Sequence, residues 1–303
     1  MEVTDELVKE VNDLRRRRKA IILSHYYQRP ELQDIADFVG DSLELSRTAA
    51  RTDAEVIVFC GVHFMAESAA ILSPEKVVLL PDLRAGCPMA DMAGADSLRS
   101  KKAELTNPFV VSYVNTTADV KAESDICCTS ANAVRIIESV PRDKQILFVP
   151  DKNLGAYAAR QTSRDLVLWP GFCCIHDELE PADVMDARRR HPGALVIVHP
   201  ECRPEVTVLA DKVASTSGML RFVQESQARE FIVGTEEGLT YQMAKKCPGK
   251  KFHLLSSGLV CDTMKLITLS KVRDALKTLE PRITVHPGIR RRALQALEKM
   301  LAL

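Results

Sequence analysis

The sequence predicts an α/β protein assembled from three homologous repeats. Two observations predict it. The first is a short apolar, strand-like run that passes through Pro or Gly and stops at a cysteine, and it occurs three times. Val77-Val78-Leu79-Leu80 leads through Pro81 and Gly86 to Cys87, Leu166-Val167-Leu168 through Pro170 and Gly171 to Cys173, and Phe252-His253-Leu254-Leu255 through Gly258 to Cys261. The cysteines are 86 and 88 residues apart. The second observation is a polar triplet after an apolar run: His25-Tyr26-Tyr27, Tyr113-Val114-Asn115 and His199-Pro200-Glu201, at intervals of 88 and 86. Each triplet is followed 17 residues later by a hydroxyl residue, Ser42, Ser130 or Thr216. Two features repeating in step across the chain mark a triplication.

Composition bounds the function. The 303 residues carry 46% apolar side chains, enough for substantial cores. Lys plus Arg and Asp plus Glu balance at 41 each, so there is no basic footprint for nucleic acid. No apolar run reaches the length of a membrane span. Residues 1–19 are acidic and then basic without an apolar core, unlike a secretory signal. Nine cysteines in that context read as reduced thiols, metal ligands or catalytic groups rather than a disulfide framework. A cytoplasmic protein is expected.

Taken in order, Leu7, Val11 and Leu14 at helical spacing predict a helix over 4–17, with Thr4 or Asp5 as N-cap. The basic run 15–19 is a solvated helix end that favours the helix dipole. Residues 20–23 form the first buried strand, with His25 and Tyr27 at its C-terminal end, where ligands bind in open α/β sheets. A short helical stretch follows over 32–38 and a helix over 43–51. Ser42 is read as its N-cap, a place that also presents free N–H groups to an anion. Residues 54–59 are a strand closed by Cys60, and 64–71 a helix. His63 and Glu67, one turn apart, are expected to serve as a polar cap or support rather than as a metal pair. Cys87-Pro88 opens another helix with Pro at a favoured start. A thiolate there is expected to have a depressed pKa, which suits a metal ligand.

The second repeat begins near Pro108 and carries Tyr113, Asn115 and Ser130. Cys127 and Cys128, at a strand end, are expected to be core thiols. A strand over 145–149 precedes Asp151-Lys152-Asn153. Cys174 is expected to point away from Cys173 in an extended chain. The third repeat begins near Ala194 and carries His199, Glu201, Ser215, Thr216, Thr235-Glu236-Glu237-Gly238 and Cys261. Cys202 and Cys247 have no counterparts and are expected to be bystanders. A helix over 266–279 and a final amphipathic helix over 289–303 complete the chain, the latter packing on a neighbouring repeat.

Three cysteines on strand-end loops admit more than one chemistry. They can be buried thiols near a pseudo-threefold axis. They can hold zinc, which wants a fourth protein ligand in a structural site or an open position in a catalytic one. They can hold an iron–sulfur cluster, normally bound by four thiolates. With three, one iron keeps an open position and acts as a Lewis acid, which suits dehydration. The count alone does not choose, so a zinc hydrolase or lyase stays open. An iron–sulfur sensor also stays open, although convergent His, Tyr, Glu and hydroxyl residues argue against a protein that needs no polar substrate cavity.

The chain resembles the quinolinate synthase (NadA) family over essentially its full length. The resemblance rests on residues 24–27, 113–115, 129–133, 199–201, 215–217, 235–238 and 261–269, together with the three spaced cysteines. It implies three αβα sandwich domains with parallel sheets related by a pseudo-threefold axis, divided as 1–105, 106–192 and 193–303. It implies condensation of iminoaspartate with dihydroxyacetone phosphate to quinolinate, with loss of phosphate and water, in de novo NAD biosynthesis. It also implies a [4Fe–4S] cluster on Cys87, Cys173 and Cys261 with one open iron, and a functional link to an iminoaspartate-producing enzyme. His25, Ser42, Tyr113, Asn115, Ser130, His199, Glu201, Ser215 and Thr216 are then the substrate-binding candidates. Tyr27, Glu201 and His199 are the catalytic candidates, and His176 and Lys265 are expected to line the cavity. The sequence departs from the family at Ala214, where Gly is usual, and lacks the C-x-x-C-x-x-C element of some members.

Overall fold

A computed structural model describes residues 2–303, with side chains described from Asp5 onward. Twelve strands form three sheets of four, and every ladder within them is parallel. The first sheet contains β1 (Ala20–His25), β2 (Phe38–Gly40), β3 (Val56–Cys60) and β4 (Val77–Leu79). The second contains β5 (Pro108–Tyr113), β6 (Ile126–Cys128), β7 (Gln145–Val149) and β8 (Leu166–Leu168). The third contains β9 (Leu195–Val198), β10 (Lys212–Val213), β11 (Glu230–Gly234) and β12 (Lys251–Leu254). The orders β2-β1-β3-β4, β6-β5-β7-β8 and β10-β9-β11-β12 are one topology repeated three times. The inner strands are buried on both faces, which is why they read as continuous apolar runs rather than as alternating patterns.

Parallel strands require crossovers, and helices supply them on both faces. In the third repeat Val196, Val198 and Ile232 pack into one core, while Ile197, Phe231 and Val233 pack into another on the opposite face. That is an αβα sandwich. One local device recurs in register. Asp37, Asp125 and Asp211 each use Oδ2 to accept the backbone N–H of the first long strand of their repeat, at Ile22 (2.8 Å), Val110 (2.7 Å) and Val196 (2.7 Å).

The ends of the chain join the repeats. The helix Leu269–Thr278 packs on β3 and on the N-terminal helix Glu2–Arg17. The last helix, Pro287–Ala302, packs on the helix Ala118–Ala122, on β6 and on the helix His63–Leu72. Its packing on a neighbouring repeat agrees with the expectation. The N-terminal helix begins at Glu2, so Thr4 and Asp5 lie within it instead of capping it. The stretch read as helical over 32–38 is the helix Pro30–Ile35 followed by β2. Such edge strands, only two residues long in β10, are too short to show a period of their own.

Two glycines sit where backbones touch. A Cβ on Gly171 would come within 2.5 Å of the Pro150 carbonyl oxygen, so this turn before Cys173 admits only glycine. A Cβ on Gly238 would lie 2.7 Å from the Tyr26 carbonyl oxygen and 2.9 Å from that of Gln28. Gly238 is therefore the point where the third repeat meets the loop that carries Tyr27. Substituting Gly238→Ala should destabilise the protein by about 1–3 kcal/mol, as overpacking does, read from the chemical denaturation midpoint. A change below about 0.5 kcal/mol would mean that the loop moves aside freely.

Candidate active site

The C-terminal ends of the three sheets face one cavity of about 770 Å³. Its lining includes His25, Tyr27, Ser42, Cys87, Tyr113, Asn115, Ser130, Cys173, His199, Glu201, Thr216 and Cys261. All of the sequence-derived candidates except Ser215 and Lys265 are thus brought to one place, and the expectation that Lys265 lines the cavity does not hold. Ser215 lies outside the lining and caps the helix Thr216–Glu225 instead, accepting from the Gly218 amide at 3.2 Å. Ser42 and Thr216 are the first residues of their helices, and the caps are Asp41 and Ser215. Ser130 does not start a helix, because the helix of its repeat begins at Ala133.

Glu201 is the centre of the polar arrangement. The Tyr113 hydroxyl donates to Oε1 at 2.5 Å, and His176 Nδ1 lies 2.8 Å from Oε2. The imidazole of His199 stacks on that of His176 with centroids 4.7 Å apart. Burial alone would raise the Glu201 pKa. The neighbouring His199, together with the hydrogen bonds from His176 and Tyr113, more than offsets it and holds the carboxyl below its ordinary range, as an anion.

The other imidazoles are neutral. Burial lowers both His25 and His199 to about 3. Backbone geometry fixes their tautomers in the same way. The Tyr27 amide donates to His25 Nδ1 at 3.1 Å, and the Glu201 amide donates to His199 Nδ1 at 3.3 Å. Each Nε2 therefore carries its hydrogen; that of His199 donates to Ser130 Oγ at 3.2 Å. Tyr27 is kept protonated, its pKa pushed well above the usual value by burial and by Glu201. Its hydroxyl lies 2.7 Å from Thr235 Oγ1, which lies 2.9 Å from His176 Nε2. With His176 donating from Nδ1 to Glu201, the line Tyr27–Thr235–His176–Glu201 can carry a proton from one repeat to another. Thr235 belongs to a stretch the sequence singled out, yet its place in this line depends on a contact across repeats that spacing does not show.

Among the described residues no Lys or Arg lines the cavity. Its donors are neutral imidazoles, hydroxyls and the Asn115 amide. The Asn115 Oδ1 is buried without a hydrogen-bond partner, an acceptor left open toward the cavity. Lys265 stands behind the wall, its Nζ 2.8 Å from Glu236 Oε1 and donating to the Tyr27 carbonyl at 2.8 Å. Lys121, fully buried, donates to the carbonyls of Val114 (2.8 Å) and Thr116 and so braces the loop that bears Asn115. Glu67 Oε2 lies 3.9 Å from His63 Nδ1. It accepts the Ala118 amide at 3.0 Å and supports the start of the helix Ala118–Ala122.

The three register cysteines behave otherwise than a helix-start thiol would. Burial raises all three pKa values, and Glu201 adds to the rise at Cys173 and Cys87. The expected depression at Cys87 is overturned because the helix Pro88–Asp91 is a single turn in a low-dielectric wall. Cys174 starts the helix Cys174–Asp177 and also lines the cavity, so the extended-chain expectation that it points away does not hold. Cys127 and Cys128 are fully buried core thiols, as expected. Cys202 and Cys247 are buried away from the cavity lining. A second His–Glu group, His191, Glu230 and His253, lies on the third repeat outside the cavity, with His253 Nε2 2.9 Å from Glu230 Oε1.

The neutral imidazoles have a pH consequence. Unfolded histidines take up protons below pH of about 6.5, whereas His25 and His199 resist until near 3. Their contribution is flat above that upper value. Stability should fall as pH drops through the window, by up to roughly 1.4 kcal/mol per pH unit for each imidazole. Imidazole NMR titration should find neither group titrating above pH of about 5. A midpoint near the ordinary histidine value for either would mean that it is solvated and free to charge.

Comparison with known proteins places the chain in a family. The family profile described as quinolinate synthetase A protein matches residues 9–302. The chain is 77% identical over 303 residues to the quinolinate synthase of Desulforudis audaxviator (strain MP104C), covering 100% of both chains. It is 56% identical over 303 residues to that of Methanoregula boonei, again covering 100% of both. It is 53% identical over 292 residues to that of Dehalococcoides mccartyi (strain CBDB1), covering 96% of each. A profile match across nearly the whole chain and full-length identity of this order leave one assignment: the chain belongs to the quinolinate synthase family.

Proposed function

We propose that this protein is a quinolinate synthase of NAD biosynthesis. It would condense iminoaspartate, supplied by an iminoaspartate-producing enzyme, with dihydroxyacetone phosphate to give quinolinate, phosphate and water. The observation that carries the reading is the cavity itself. Three buried-edge thiols, one from each repeat, share a chamber with neutral hydrogen-bond donors and the ionised Glu201 carboxylate, with Asp41 and Glu236 also in its lining.

The donor set fits an iron–sulfur cluster on Cys87, Cys173 and Cys261. A lone tetrahedral zinc with bonds of about 2.3 Å brings its sulfurs within roughly 3.8 Å of one another. Cys173 also offers its sulfur within 4.8 Å of a His176 nitrogen and a Glu201 carboxylate oxygen, a closer set that a single metal ion could use. The cluster, when bound, supplies an iron with an open position that acts as a Lewis acid for loss of a hydroxyl. The protein supplies the rest. His25, Ser42, Ser130 and Thr216 offer N–H and O–H donors to carboxylate and phosphate oxygens, while Tyr113 orients Glu201 and His199 supports Ser130. Because these donors are neutral, they orient anions without adding charge beside Glu201. Asn115 offers its open acceptor to a substrate N–H or O–H. Tyr27, held protonated, can give a proton, and the Glu201 carboxylate, at the other end of the line through Thr235 and His176, can accept one.

Anaerobically purified protein should show broad visible absorption, and Ser at any one of Cys87, Cys173 or Cys261 should abolish it. Cys128→Ser should not. Full absorption and activity in Cys173→Ser would remove that ligand and move suspicion to Cys174. Tyr27→Phe deletes only a hydroxyl, so iron content should survive while quinolinate formation falls on the order of 100- to 10,000-fold. Near-normal turnover in both Tyr27→Phe and Glu201→Gln would exclude these residues from proton transfer.

A further inference from the structure

The three cysteine loops are held by a main-chain bond that repeats in register. The amides of His63, Lys152 and Glu237 donate to the carbonyls of Ala85, Gly171 and Leu259, at 2.8, 2.8 and 2.9 Å. In every case the acceptor lies two residues before the cysteine. The residue just before each donor occupies an equivalent position, two places beyond the end of β3, β7 or β11. It is Val62 in the first repeat, Asp151 in the second and Glu236 in the third.

At that position two repeats add a second tie and one does not. Asp151 Oδ2 accepts the Cys173 amide at 3.2 Å while its Oδ1 accepts the Leu154 amide at 2.7 Å. Glu236 Oε1 accepts the Cys261 amide at 3.2 Å while its Oε2 accepts the Gly238 amide at 2.7 Å. Both residues are fully buried. Each carboxylate thus clamps a cysteine to the start of the following helix. Val62 is buried at 2% exposure, and its apolar side chain accepts nothing. A buried carboxylate costs free energy unless its oxygens are bonded, so two of them at equivalent sites, both bonded to a cysteine amide, mark a role at the cysteines.

We propose that Asp151 and Glu236 are positioning residues for the group held by Cys87, Cys173 and Cys261, and that Cys87, lacking such a clamp, is the ligand released first. The inference rests on the cluster reading above. A clamped amide fixes the cysteine backbone, so its sulfur departs only with the loop intact. The Cys87 loop has a carboxylate of its own, Asp82, but this accepts the Arg84 amide at 2.9 Å and Lys271 at 2.6 Å and leaves the Cys87 amide without such a tie.

The experiment uses the anaerobically reconstituted holoprotein. Loss of visible absorption is followed after adding an iron chelator, with thiols alkylated at intervals and located by mass spectrometry. In the wild type Cys87 should be alkylated before Cys173 and Cys261. Asp151→Ala should speed bleaching about tenfold or more and advance Cys173 to the level of Cys87, as loss of a buried hydrogen bond implies. Asp151→Asn keeps an acceptor oxygen and should restore most of the wild-type rate, which a general loss of folding would not allow. Glu236→Ala should advance Cys261 in the same way. Wild-type bleaching unchanged in both alanine variants, or Cys173 or Cys261 labelled first, would overturn the inference while leaving the cluster in place. Reconstituted wild type with no visible absorption would overturn the cluster reading itself, and the inference with it.

Discussion

One buried negative charge organises the interior. The Glu201 carboxylate comes from the third repeat, yet its hydrogen-bond donors, Tyr113 and His176, come from the second. Through Thr235 it reaches Tyr27 of the first. An ion in such surroundings is tolerated only when its oxygens are bonded. The requirement that Glu201 be solvated by protein therefore fixes how the repeats meet. It also explains why the other imidazoles at the cavity are neutral. The low dielectric that strengthens every hydrogen bond to Glu201 makes further buried charge expensive.

The same constraint separates two kinds of residue at the cavity. Apart from the carboxyls of Asp41, Glu201 and Glu236, the polar lining consists of neutral donors and acceptors, while other charged side chains stand behind the wall and act on the backbone. Lys265 bonds the Tyr27 carbonyl, Lys121 bonds the carbonyls of Val114 and Thr116, and Glu67 bonds the Ala118 amide. The cavity loops are irregular and carry main-chain polar groups that strands cannot satisfy. Buried ionic side chains satisfy them and in doing so stiffen the loops that bear Tyr27 and Asn115.

How much of this the sequence carried depended on whether a feature was periodic. The triplets at His25, Tyr113 and His199 and the cysteines at 87, 173 and 261 repeat at almost constant intervals, and they led to the fold and to about half of the cavity lining. Asp37, Asp125 and Asp211 repeat at those intervals too, but an isolated Asp in a loop has no chemistry of its own to draw notice. Features that break the repeat were not legible. Val62 aligned with Asp151 and Glu236 becomes meaningful only once the cysteine amides are placed. Charge states were misread for a related reason, since the Cys87 thiol depends on burial by residues far away in sequence. Ala214, the one departure at the Ser215–Ser217 turn, is harmless because its backbone is outside the left-handed region that would demand Gly.

The chain closes on itself late. The helices Leu269–Thr278 and Pro287–Ala302 belong in sequence to the third repeat, but they bury Val272, Leu276, Ala296 and Leu297 in a core shared with the first and second sheets. During synthesis, the first two repeats must wait for the last forty or so residues before that core is complete. Contacts of such sequence separation form slowly, and apolar surface left open in the meantime is prone to misassembly. The repeats are thus homologous in shape but not autonomous in folding, and the chamber among them takes its final form only after the C-terminal helices have docked.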